Sequence, residues 1–218
     1  MTGCPANGRL HRPTKPGPAG LFHFRFRMTS IYERVMGAPY ARLAPALQRF
    51  HRLRGRHVLH GEVTTAAPAS PLAALLARGL GSPRVATRGP IRFELEVGPQ
   101  GETWTRHFPG RTMSSRLREA GGELVEQLGV ARLAFTLGEA DGRLVMRLRG
   151  LRFLGIPCPA FLRPRIVAEE TGGQGADGRE RLHFQVEAHV PGVGQVVGYH
   201  GHLELPHVTA REAASPRG

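Results

Sequence analysis

The sequence predicts a mainly β (α+β) fold. We expect a curved antiparallel meander of about ten strands forming a barrel or half-barrel, with N-terminal helices and one helix after the first strand. Three observations predict it. Apolar residues alternate with charged ones at period two in one segment after another. The turns between segments are short and rich in Gly, too short for the crossovers that parallel strands need. A sheet this long must also curl, because a long open one buries one face poorly and leaves exposed edges. A barrel of about eight to ten strands either fills with side chains or encloses one small ligand.

The elements follow in chain order. Residues 1–27 are rich in Pro, Gly and Arg without periodicity. They read as a disordered basic tail or a wrongly assigned start, since Met28 opens a better-behaved sequence. Ser30 suits a helix N-cap before Tyr32, Val35 and Met36, and Gly37 and Pro39 break that helix. A second helix is expected from Arg42 to Leu53, with Leu43, Leu47 and Phe50 at helical spacing. His57–Thr65 is the first strand. In the third helix Ser70 caps, Pro71 takes the first position, Leu72, Leu75, Leu76 and Leu80 form the apolar stripe, and Gly79 and Gly81 stop it.

Strands account for most of the rest. Ile91, Phe93, Leu95 and Val97 alternate with Arg92, Glu94 and Glu96, and Glu102–Phe108 returns as the hairpin partner. Arg111–Glu119, Glu123–Leu128 and Ala131–Leu137 continue the rhythm. Ala140-Asp141-Gly142 is a hairpin turn into Arg143–Arg149. Arg165–Thr171, then Leu182–Ala188, then a strand carrying Val197, Tyr199, Leu203 and Leu205 on one face complete the meander. The expected folded unit spans 28–206, followed by a flexible tail at 207–218.

Charge is a weaker guide than its size suggests. The formal net charge is +13, but Lys15 is the only lysine among 30 basic residues, beside 29 Gly and 18 Pro. That skew is the codon usage of a GC-rich genome. A basic surface still favours anionic partners, but no sequence-specific nucleic-acid motif is present. Two cysteines, Cys4 and Cys158, make neither a disulfide framework nor a zinc site. They suit a reducing cytoplasm. No run of about 18 apolar residues predicts a transmembrane helix, and no secretory signal is apparent.

Candidate site residues come from strand parity. If Trp104 and Phe108 point inward, so does Arg106. An inward guanidinium needs Glu62 or Glu102 as a partner, or a ligand carboxylate or phosphate held bidentately. Tyr199 would be a second pocket wall. His107 falls on the opposite face, and with His60 it is the candidate proton carrier. His200 and His202 share a strand face and are the candidate metal pair, but no third ligand can be placed and no cofactor is predicted. Phe153–Pro164 breaks the strand rhythm with Gly155, Pro157, Pro159 and Pro164 around Ile156, Phe161 and Leu162. It is either a cap or a lid. Arg143, Arg147, Arg149 and Arg152 ladder along one strand, as a solvated face or as a contact for phosphates or a membrane surface. Gly192-Val193-Gly194-Gln195-Val196-Val197-Gly198 has one residue too many for a dinucleotide loop and lies between two strands, so it reads as a hairpin turn.

Several runs together resemble a known family. They are Tyr32-Glu33-Arg34-Val35, Phe50-His51-Arg52-Leu53-Arg54-Gly55, His60-Gly61-Glu62-Val63, Glu102-Thr103-Trp104-Thr105-Arg106-His107-Phe108-Pro109-Gly110, Gly150-Leu151-Arg152-Phe153-Leu154-Gly155-Ile156-Pro157 and Gly198-Tyr199-His200-Gly201-His202-Leu203. The chain resembles, over residues 31–206, a bacterial domain family of unknown function. Its members occur alone or fused behind saccharopine-dehydrogenase-like or epimerase-like NAD(P)-binding domains. The resemblance implies a metabolic setting and no specific activity. Three readings therefore stand at this stage. The first is a binding module for a small amphipathic or anionic, acyl- or lipid-like ligand, with Arg106 as anchor and Trp104, Tyr199, Phe108 and Glu62 around it. The second is an accessory or catalytic domain beside an NAD(P)-dependent oxidoreductase. The third is salt-sensitive binding to nucleic acid or to an anionic membrane.

Overall fold

The computed structural model describes residues 29–206. The tails expected at 1–27 and 207–218, with Met28 and Cys4, lie outside the described residues. Ser30 caps the first helix, α1 (Ile31–Met36), by accepting a hydrogen bond from the Glu33 amide at 3.0 Å. The second helix, α2 (Pro45–His51), is shorter than its periodicity suggests. Pro45 forces the preceding Ala44 into an extended conformation, so Ala38–Arg42 forms a separate 3-10 turn. In α3 (Pro71–Leu80), Ser70 caps at 3.1 Å and Gly81 closes the helix at φ 74°. Its buried residues are Ala73 and Ala77, while Leu72 and Leu75 face out. Leu76 and Leu80 are half-buried against the core beside the two alanines.

The strands are β1 (Gly55–Thr65), β2 (Thr87–Gly98), β3 (Gly101–Phe108), β4 (Arg111–Ala120), β5 (Glu123–Leu128) and β6 (Ala131–Ala140). They continue as β7 (Arg143–Phe153), β8 (Ile156–Pro157), β9 (Arg165–Gln174), β10 (Glu180–Val190) and β11 (Gly194–Glu204). All pairings are antiparallel. Ten strands form a closed barrel in the order β6-β5-β4-β3-β2-β1-β11-β10-β9-β7, and β6 pairing with β7 shuts it. Asp141 and Gly142, at φ 52° and 78°, make the tight turn that this closure uses. The Gly192 segment is the turn between β10 and β11, as its sequence suggests.

One seam is short. β7 meets β9 at three pairs only, from Leu144↔Glu170 to Met146↔Ala168. Beyond Met146, β7 pairs instead with the two-residue β8. The chain then crosses the gap through Cys158, whose amide donates to the Leu151 carbonyl at 2.8 Å, and through a 3-10 turn at Ala160–Leu162.

The two ends of the barrel are closed differently. At one end α1 and α2 insert Tyr32, Leu47 and Phe50, all essentially buried. Each such side chain contributes about 1.5–3 kcal/mol by leaving water. At the other end lie α3 and four strand turns. The Val130 amide donates to the Gly79 carbonyl, the Leu154 amide to the Val130 carbonyl, and the Ala69 amide to the Gln195 carbonyl, while Arg111 Nε reaches the Gly81 carbonyl at 3.1 Å.

Candidate functional site

Inside the barrel is a cavity of about 460 Å³, within the range of roughly 300–1,000 Å³ usual for small-molecule sites. Its walls are almost wholly apolar. Leu72, Leu76 and Leu80 of α3 and Cys158, Leu162 and Pro164 of the crossing loop line one end, where the exposed Leu72 and Leu162 mark its mouth. Its floor lies against the helical plug and is polar.

Strand alternation builds that floor. β3 buries Glu102, Trp104, Arg106 and Phe108 and turns the residues between them outward. Arg106 is 8% exposed. Its NH1 donates to Ser115 Oγ at 3.1 Å, and its NH2 lies 4.0 Å from Glu126 Oε1, too far for a hydrogen bond. The guanidinium carbon sits 5.0 Å from the Trp104 ring centre and 5.8 Å from that of Phe93. This cation–π contact steadies the charge without using its N–H donors. Trp104 Nε1 donates to Glu102 Oε2 at 2.9 Å. Burial pushes the Glu102 carboxyl up from its ordinary value, against the pull of His51 and the Trp104 hydrogen bond.

Tyr32 reaches the floor from α1. Its ring stacks on His51 at 3.8 Å, and His51 in turn shares a 2.8 Å hydrogen bond between its Nε2 and Glu170 Oε2. The Tyr32 hydroxyl has no hydrogen-bond partner among the described residues. Burial first, then Glu170, Glu102 and Glu126, hold it well above the ordinary tyrosine range, so it stays a donor. The Tyr199 phenol is raised chiefly by burial, with Arg106 opposing.

Arg106, Trp104 and Tyr199 all line the cavity. Phe108 is buried edge-on to Tyr199, with ring centres 5.2 Å apart. Glu62 lies on the outer face and pairs with Arg88 at 3.2 Å. The partners of Arg106 are thus Ser115 and Glu126, and neither Glu62 nor Glu102 pairs with it. His107 is outside, 3.0 Å from Glu94 and 3.2 Å from Thr112. His60 and His200 are exposed on the outer surface. His202 faces His183 with ring centres 5.7 Å apart. No group of three His, Cys, Asp or Glu set to hold a metal occurs among the described residues. Sequence reasoning missed Tyr32, Glu126 and Glu170. The last two carry a signal, because Glu126 shares parity with Leu124 and Leu128, and Glu170 with Ile166 and Ala168.

The model of a family described as a domain of unknown function, DUF4166, matches residues 43–203. The chain belongs to that family. The matched span runs from the approach to α2 to the end of β11, so this DUF4166 domain includes every strand of the barrel. No curated protein matches the chain. Among solved structures, the crystal structure of Rv2717c from M. tuberculosis is similar at 15% identity, covering 76% of this chain and 99% of that one, with a TM-score of 0.38. Likeness at that level carries no inference about function.

Proposed function

We propose that the barrel holds one small amphipathic molecule, acyl- or lipid-like, with its apolar body along the cavity and an oxygen-bearing head on the polar floor. The observation that carries this reading is the Tyr32 hydroxyl, fully buried with no hydrogen-bond partner among the described residues, on a cavity that Arg106 also lines, with the guanidinium's nearest carboxylate 4.0 Å away. An unmet buried donor costs about 1–3 kcal/mol, which an accepting ligand atom in the cavity would recover. Both groups donate, so the head must accept, as a carbonyl, hydroxyl or carboxylate oxygen does. Arg106 favours a carboxylate, while Glu126 and Glu170 on the same cavity oppose it. The setting we propose is the cytoplasm, where the free Cys158 stays reduced.

Native mass spectrometry of the protein isolated from its own cells, followed by organic extraction, tests the reading. The expected result is a single retained species of one amphipathic class. A bare protein mass that persists when amphiphiles of graded chain length are offered overturns it.

A further inference from the structure

We infer that the end of the barrel bearing the cavity mouth docks on an anionic lipid bilayer. This goes beyond ligand binding in the cavity and does not depend on it.

Two asymmetries carry the inference. The first is apolar. Among the described residues eight large hydrophobic side chains are exposed, and all but Val58 lie at the mouth end. Leu72 and Leu75 project from α3, while Leu154, Ile156, Phe161 and Leu162 project from the crossing loop opposite. Phe161 is 75% exposed, and Leu162 also lines the cavity, so the apolar surface runs from the interior out to the rim. Contiguous apolar surface at the rim of a cavity marks an interaction site.

The second asymmetry is charge. Segments 66–86, 107–113, 127–133 and 149–166, which build this end, contain no Asp or Glu. They present Arg78, Arg84, Arg149, Arg152, Arg163 and Arg165, all exposed, and none has a carboxylate at ion-pair distance among the described residues. Arg152 even stands directly opposite Arg132 across the β6–β7 ladder, a like-charge pair that an anionic surface would relieve. At the helical plug the pattern reverses. Arg34 pairs with Glu119, Arg42 with Glu139, Arg49 with Glu180 and Arg52 with Glu33.

Apolar tips set among arginines match the layering of an anionic membrane, in which side chains enter the acyl boundary and cations stay at the phosphates. Base-stacking platforms for nucleic acid use several aromatic rings, whereas Phe161 is the one exposed aromatic at this end among the described residues. With the mouth against the bilayer, the cavity faces the phase that dissolves its ligand.

The test is vesicle co-sedimentation of the full chain, without added ligand. Vesicles are phosphatidylcholine alone, or phosphatidylcholine with about 30% phosphatidylglycerol, in salt of ~0.05 and ~0.5 M. We expect binding to the anionic vesicles only, falling steeply at the higher salt. Each arginine near the surface is worth about fivefold, so R163Q/R165Q should bind roughly 25-fold more weakly. F161S/L162S should also lose binding, whereas R116Q/R118Q, on the outer face of β4, should match the wild type. Near-UV circular dichroism confirms that each variant is folded. Equal binding to neutral vesicles, full binding by F161S/L162S, or an equal loss in R116Q/R118Q overturns the inference. So does tighter binding to a short DNA duplex that the serine substitutions leave unchanged.

Discussion

Replacing Tyr32 by Phe removes one oxygen from a fully buried ring and leaves its packing on His51 and Trp104 intact, with ring centres at 3.8 and 6.1 Å. Where a buried tyrosine hydroxyl is hydrogen-bonded, that change destabilises. Here no described residue accepts from the hydroxyl, so the substitution relieves an unmet donor at about 1–3 kcal/mol. Discounting for relaxation to roughly 1–2 kcal/mol, and at about 2–4 °C per kcal/mol for a chain of this size, Tm should rise by ~2–8 °C. The same variant loses a donor to the ligand head and should bind dodecanoic acid or 1-dodecanol about fivefold more weakly. The assays are thermal unfolding of the ligand-free protein and an equilibrium titration. A hydroxyl kept unmet for function makes stability and affinity move in opposite directions. A fall in Tm with unchanged affinity would refute the reasoning.

Other perturbations follow from the same geometry. R106M strands Glu126 in the cavity and should cost about 3 kcal/mol in urea unfolding, most of it recovered in R106M/E126M; failure of the second change to rescue would deny the coupling. Burial raises Glu102 above its unfolded value, so its stabilising contribution is complete below the ordinary glutamate pKa and is lost as pH rises through the raised one. E102Q, which still accepts from Trp104, should therefore gain stability over wild type near neutral pH and not at pH ~4; an equal gain at both would contradict this. A Cβ on Gly201 would lie 2.1 Å from the Glu62 carbonyl oxygen. G201A should thus force β1 and β11 apart at a cost above about 2 kcal/mol, read as soluble yield and Tm. His183 is held below its ordinary value by burial, then by His202 and Arg181. Its NMR titration midpoint should lie below that of an exposed histidine and move up in H202Q.

The fold was legible where local chemistry decides it. Period two along β2, β7 and β10, the Asp141-Gly142 turn, and the Ser70, Pro71 and Gly81 punctuation of α3 all act within a few residues. Closure was not legible, because it also depends on the long-range pairing of β1 with β11 and on three pairs between β7 and β9, which no local pattern marks. The stripe of α3 was half right: Leu76 and Leu80 pack against the core beside the buried Ala73 and Ala77, while Leu72 and Leu75 face out. At the site, parity places Arg106 and Trp104 inside. The same parity turns Glu62 out, since Leu59 and Val63 face in, and it turns Glu126 and Glu170 in. Tyr32 could not be found this way. It enters across the barrel end from a helix about seventy residues upstream of β3, and only the tertiary fold brings it to Trp104 on the cavity floor.

Trp104 is the only tryptophan in the chain and sits on the cavity floor between Arg106 and Tyr32. Its fluorescence therefore reports directly on the head-group position. The decisive measurement is a titration of the wild-type protein with dodecanoic acid, following Trp104 emission at pH ~6 and ~8. The account predicts a saturable one-to-one change at both pH values, weakened in Y32F. Emission that stays constant at both pH values while the acid reaches its solubility limit would contradict a polar floor built to receive a ligand.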